Sequence, residues 1–399
     1  QRQMCIRDSP ADGKKDGRKS ATHERKGRRN VKELAFPTTT FTAPVNASTC
    51  DTCGGDRELV EPRVSHRVGW VPGHFTVVEA RQERCRCPKC PKAPVWVAPE
   101  PFLLAGAMCD DGMVARVIVD WAGDHLPFNR QADRMTREGF PINQNVLSGW
   151  SRAAWLAGGK RLVQAVEKQV AESPVIQGDD TGHPVQDGTD GKLANGRLWV
   201  YTDQRQAFFA FSRTKQGEHP ADLLERLGAH GRSFVVDGGS EYNLAEQRLA
   251  LSRGGCWSHF RRYFFNAAIQ HDEGNTALVT LRDLFLVERD LAELDAAGRL
   301  AGRELRSTPL VDGLYRWIKD LARTERPKSK LSEALGYALS QEARMRLFLT
   351  DGHLPFHNNL SELLLRQPVV GRKNWLFSGS EGGAEAAAGW FSLYPVTGR

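Results

Sequence analysis

Val175-Ile176-Gln177-Gly178-Asp179 and Ser233-Phe234-Val235-Val236-Asp237 are two short apolar runs that each close on an aspartate. Runs of this length, rich in β-branched and aromatic residues, read as buried strands. Between them, Arg197–Thr202 and Ala207–Ser212 read as two further strands joined by the polar turn Asp203-Gln204-Arg205-Gln206. A helix is predicted from about Pro220 to Leu227, and helical patterns follow over Glu241–Leu251 and Ser258–Ile269. The order is three strands, helix, strand, helix, with an acid at the end of the first and fourth strands.

That order is the one expected of a ribonuclease-H-like α/β core, with residues 173–270 as its first part. Residues 271–345 return to amphipathic helical spacing, as in Leu278–Leu294 and Leu310–Leu321, and read as an all-α insertion. The last part of the core is then 346–399. Residues 99–172 read as a helical linker. Within it, Asn129–Glu138, the turn Gly139-Phe140-Pro141 and Asn143–Trp150 resemble a helix-turn-helix. Asn143 is placed to cap the second helix, whose face would offer Gln144, Asn145 and Ser148 to a DNA groove. A plain helical hairpin carries the same pattern.

Residues 45–98 form a small β-rich unit with two cysteine knuckles, Cys50-Asp51-Thr52-Cys53 and Cys87-Pro88-Lys89-Cys90. Cysteine pairs in a cytosolic chain read as metal ligands before disulfides. Four thiolates complete a tetrahedral zinc site, which replaces a core that so short a segment cannot build. Cys85 competes with Cys87 for a place in the set. Residues 1–44 read as a disordered basic tail. Residues 1–33 hold 11 Lys/Arg against 5 Asp/Glu, so nearly all of the net charge of +7 lies there. The body must therefore meet an anionic partner through local patches. The opening Gln1–Ser9 resembles translated adapter sequence, and Ser392–Arg399 carries no clear stopping signal. No run approaches the roughly 18 apolar residues of a membrane span, which predicts a soluble, cytoplasmic protein.

An aspartate after an apolar strand usually starts a turn. Two of them on strands that should be neighbours, Asp179 and Asp237, point instead to a shared site. Asp180 competes with Asp179, because adjacent strand residues face opposite ways. Glu362, in His357-Asn358-Asn359-Leu360-Ser361-Glu362, is the candidate third acid, although taken alone it reads better as part of a capping box, with Asn359 as N-cap and Glu362 at N3. Three carboxylates suffice to hold Mg²⁺ (or Mn²⁺) for phosphodiester chemistry. Arg366, Arg372, Lys373, Asn374 and Trp375 follow, a set able to hold phosphates and to stack or wedge at a base. Cys256-x-x-His259 offers too few ligands for a metal. His259, Arg261 and Arg262 beside a packed Trp257 read as DNA-facing.

Several longer stretches carry a resemblance: Gly178-Asp179-Asp180-Thr181, Gly196–Tyr201, Asp237-Gly238 with Tyr242-Asn243, Cys256–Phe264, and above all Gly371–Ser380. Together they resemble the transposase family of insertion sequence 66, in family order from about Lys26 to Leu393. The resemblance implies a DDE catalytic core whose acids fall on Asp179, Asp237 and Glu362. It also implies metal-dependent cleavage and strand transfer at the ends of an insertion sequence, DNA as partner, assembly as a homo-oligomer on DNA, and possible help from accessory transposition proteins. His357 and Leu363 depart from the family's usual Asp and Arg around the third acid. Those departures leave a catalytically inactive DNA-binding relic as the alternative.

The knuckles predict one structural zinc per chain. Elemental analysis of the purified full-length protein should find it, and Cys53→Ser combined with Cys90→Ser should remove it.

Overall fold

The computed structural model describes Phe75, residues 84–85 and 96–97, 102–186 and 192–394. The four predicted zinc ligands Cys50, Cys53, Cys87 and Cys90, and the basic tail, lie outside the described residues. Two short strands, β1 (Arg84–Cys85) and β2 (Trp96–Val97), pair antiparallel.

The linker is helical: α1 (Asp111–Ala122), α2 (Phe128–Arg137), α3 (Gln144–Ala154) and α4 (Lys160–Ala171), with a π-turn at Trp155–Gly159 joining the last two. Asn143 caps α3 as expected, its side chain accepting the Asn145 N–H at 2.8 Å. Val117, Trp121, Met135, Leu147 and Trp150 are buried on the inward faces of α1, α2 and α3.

A mixed five-stranded sheet follows, built from β3 (Val175–Gln186), β4 (Leu193–Thr202), β5 (Ala207–Ser212), β6 (Ser233–Val235) and β7 (Ser252–Gly254). Its order is β5-β4-β3-β6-β7. β3 pairs antiparallel with β4 and parallel with β6, and β6 pairs parallel with β7. Helix α5 (Glu218–Arg226) makes the crossover into β6, and α6 (Asn243–Arg248) the crossover into β7.

Three sequence expectations change here. β3 does not stop at Asp179. Its pairing with β4 continues to Gln186, opposite Leu193, so Asp179 and Asp180 lie inside the strand. The helix read over Glu241–Leu251 breaks into a 3₁₀ turn (Ser240–Tyr242) and the short α6. The chain must then re-enter the sheet, and the three residues of β7 do so through backbone pairing with little apolar pattern of their own.

Next come α7 (Trp257–Ala268), α8 (Asp272–Asp290), α9 (Ala296–Gly302), α10 (Thr308–Ala322), α11 (Lys330–Ser340) and α12 (Glu342–Arg346). They build a second hydrophobic core around Trp257, Phe260, Leu281, Leu314 and Leu335, to which Val175 of β3 and Val235 of β6 also belong. Ile176 and Phe234, their strand neighbours, face the other core with the linker helices. Strand alternation therefore sends adjacent residues into different cores.

Two last helices, α13 (Asn359–Trp375) and α14 (Glu381–Leu393), complete the chain. α13 ends with Leu376 at φ 70 and ψ −51, and Phe377 N–H bonds the Trp375 carbonyl at 2.8 Å across it. That is a γ-turn of the strained hand. Gly371 is required one turn earlier, because a Cβ there would stand 1.8 Å from the Trp375 ring.

Arg303 sits in a π-turn between α9 and α10 with its side chain 2% exposed. It meets both Glu288 carboxylate oxygens, at 2.8 and 2.6 Å, and donates to the carbonyls of Phe348, Asp351 and Leu354. Removing one partner of a buried ion pair leaves the other uncompensated. Arg303→Ala should cost about 3 kcal/mol of unfolding free energy, read as a lower denaturation midpoint.

Candidate active site

Asp179 stands on β3 two residues past the end of its parallel pairing with β6, where that partner has left the sheet. Its Oδ1 accepts the Asp180 backbone N–H at 2.8 Å. Asp180 points the other way, into an ion network: it pairs with Arg197 and lies 3.4 Å from Lys215 Nζ, which is 2.9 Å from Glu241 Oε1. The competition between the two aspartates resolves on geometry. Asp180 is committed to cations, and Asp179 is not.

Asp237 lies past the end of β6 rather than in it, and its Oδ1 accepts the Gly239 N–H at 3.0 Å. The turn is held from behind by Arg253, whose Nη2 donates to the carbonyls of Asp237 (2.9 Å) and Gly239 (2.6 Å). The Arg253 side chain is fully buried, and its Nη1 reaches Asn243 at 2.9 Å.

Glu362 lies in the first turns of α13 but does not form the expected capping box. The N-cap is Asn358, one residue earlier, so Glu362 falls at the fourth helical position. Asn358 makes no side-chain cap, and its Nδ2 donates to the carbonyl of Gly178, at 3.4 Å. This contact ties the start of α13 to β3 beside Asp179. Glu362 faces α7, with Oε1 3.4 Å from His259 Nε2 and Oε2 3.9 Å from Arg262 Nη2.

The electrostatics record how the acids bear on one another. Burial first, then Asp237, and more weakly Asp180 and Glu362, push the Asp179 carboxyl up to about 8. Asp237 and Glu362 both act on His259 as well, although burial carries its pKa below the usual range. Among the described residues, no three His, Cys, Asp or Glu side chains form a ready-made metal cage. The donor set is nonetheless one of carboxylate oxygens, one of them too crowded by negative charge and burial to ionise easily, which suits a hard divalent cation. Cys256 takes no part: it is buried, and burial pushes its thiol up to about 11.

The predicted DNA-facing residues divide. Arg262, Arg261, Arg366 and Lys373 are exposed, and Arg261 lies over the Phe265 ring. Glu362, Arg366 and Lys373 fall at i, i+4 and i+11 and share one face of α13. Arg372 is half-buried beside Gly182 of β3, with its pKa lowered by burial and by Arg197. Asn374 and Trp375 do not project as a free wedge. Asn374 donates to the His125 carbonyl at 2.9 Å, and Trp375 stacks on Trp121 at 4.5 Å. Trp257 is fully buried, stacked on Phe356 at 5.3 Å. The positioning roles of Asn358 and Arg253 left no signal in spacing, since each depends on a carbonyl brought near by folding.

Comparison with known proteins gives a consistent result. The model of the family described as "Transposase IS66 family" matches residues 106–386. The uncharacterized protein y4hP of Sinorhizobium fredii (strain NBRC 101917 / NGR234) is 30% identical over 375 residues, covering 86% of this chain and 66% of the relative. The uncharacterized protein y4qI of the same organism is 27% identical over 354 residues, covering 85% and 65%. The chain thus spans about two thirds of the length of these relatives.

The raised Asp179 pKa has a signed consequence. Between pH about 4 and about 8 the unfolded chain releases this proton while the folded chain keeps it, so stability falls as pH rises through that window. The melting temperature of metal-free protein should decline toward pH 8, and Asp179→Asn should flatten the decline. Added Mg²⁺ should raise the melting temperature at pH 8 in the parent more than in the variant.

Proposed function

Because this chain belongs to the IS66 family of transposases, with every candidate acid inside the matched region, we propose that it is a DDE-type transposase cutting and joining DNA at the ends of an insertion sequence. The observation that carries the proposal is the mutual field of Asp179, Asp237 and Glu362, three acids from β3, the turn after β6 and the start of α13. The strand order β5-β4-β3-β6-β7, with two antiparallel pairings on one side of β3 and two parallel ones on the other, supports a ribonuclease-H-like reading of the core. The zinc unit, the DNA partners and a homo-oligomeric assembly belong to the same proposal. Among the described residues no helix is long and apolar enough to cross a membrane, which accords with a cytoplasmic protein.

In this reading Asp179, Asp237 and Glu362 hold Mg²⁺ or Mn²⁺. Bound there, the metal supplies activation of an oxygen nucleophile and stabilisation of the leaving oxygen. The protein's own residues do the positioning. Asn358 fixes α13 against β3, Arg253 fixes the Asp237 turn, and His259 and Arg262 flank the Glu362 carboxylate. Arg366 and Lys373 extend the Glu362 face of α13 as a cationic track for phosphates.

One observation favours the rival reading of an inactive DNA-binding relic. Leu363 puts an apolar side chain, 55% exposed, beside the third acid. Incubation with DNA bearing element ends and Mg²⁺ separates the two. Nicked and joined products are expected from the parent protein, and Glu362→Gln should abolish them with little change in melting temperature. A parent without products would establish the relic. An active Glu362→Gln protein would remove Glu362 from the chemistry.

A further inference from the structure

A cavity of about 480 Å³ lies between α3 of the linker and the loop that joins α13 to α14, away from the acids. One wall is aromatic: Phe377 lines it with 37% of its surface exposed, backed by Trp121 and Trp375, which stack on each other. The other is the polar face of α3, with Asn145, Ser148, Gly149 and Arg152. The Trp375 indole N–H is buried without a hydrogen-bond partner in the protein. The loop is fastened to the far end of β3. Ser378 Oγ meets His183 Nε2 at 2.8 Å, Ser378 N–H bonds the Pro184 carbonyl at 3.0 Å, and Gln186 N–H bonds the Ser378 carbonyl at 2.9 Å.

We infer that this cavity takes one unpaired nucleotide of a DNA strand, its base against the exposed Phe377 ring and its polar edge toward Asn145. The inference rests on the DNA reading above and adds a site to it. Flat aromatic walls accept any base face, whereas a side-chain amide can hydrogen-bond a base edge. Arg152 is exposed at the rim, where a guanidinium can hold the phosphate. A space of about 480 Å³ has room for one nucleotide and none for a base-paired duplex. Position favours the same occupant. Four residues of β3 separate Asp179 from His183, roughly 13 Å along the strand, so a strand end leaving the acids passes the cavity within a few nucleotides.

Gly149 supplies the test. A Cβ there meets nothing within 4 Å, so a large side chain enters open space, and the change improves helix propensity. Full-length protein and Gly149→Phe are titrated with a fluorescent 20-nucleotide single strand and with the blunt 20-base-pair duplex. The expected result is about tenfold weaker binding of the single strand by the variant, as for loss of one stacked base, with duplex affinity unchanged. Equal affinity of both proteins for the single strand overturns the inference while leaving the DNA reading intact. So does an equal loss for both DNAs. A parent that binds neither DNA refutes the DNA reading itself, and the cavity assignment with it.

Discussion

The candidate site depends on the unequal pairing of one strand. β3 is paired with β6 over Val175–Gln177 and with β4 over Gln177–Gln186, so its two edges are both paired only at Gln177 and β4 alone continues beside it. Asp179 stands where the parallel partner has ended, and Asp237 follows in the turn that takes that partner's chain away from the sheet. Register decides which of the adjacent aspartates is turned toward Arg197 and Lys215 and which feels the other acids. A slip of one residue against β4 would turn Asp179 toward Arg197 and Lys215, and Asp180 toward the other acids. The ten paired positions of the hairpin and the ion network around Asp180 both oppose that slip.

The third acid comes from a separate element and needs its own anchor. α13 is joined to β3 at both ends, through Asn358 on Gly178 at its start and through Ser378 on Pro184 and Gln186 beyond its end. Between these anchors Gly371 lets the Trp375 ring fold back onto Trp121. The helix is thus a strut laid along the strand, and its exposed face carries Glu362, Arg366 and Lys373 in line. Arg303 braces the chain just before the strut by gathering three carbonyls from residues 348–354.

Much of this was legible in sequence, for identifiable reasons. β3, β4, β5 and β6 announce themselves because burial demands apolar runs, and the helices because their inward faces repeat at helical spacing. β7 was illegible: three residues held by backbone bonds need no side-chain pattern. The end of β3 was misplaced because the apolar run stops at the acids while the hairpin pairing does not. The capping box at Asn359 is not formed because the helix begins one residue earlier than its pattern suggests, with Asn358 at the N-cap and its amide N–H directed to Gly178. Trp375 read as a base-stacking residue by type alone, and packing engages it with another tryptophan. Three acids on separate elements have no local spacing to betray them, so the family resemblance carried their assignment further than composition or periodicity did.

The division of the sheet between two cores bears on what a damaged copy of this protein could be. Val175 and Val235 are packed by the helices of residues 257–349, while their neighbours Ile176 and Phe234 are packed by the linker side. An internal deletion that spared every acid but removed those helices would strip one side of the two central strands and leave their valines facing water. Decay of the coding sequence should therefore yield either whole proteins with altered sites or fragments that proteases clear. Trimmed yet folded remnants are not among the outcomes this architecture allows.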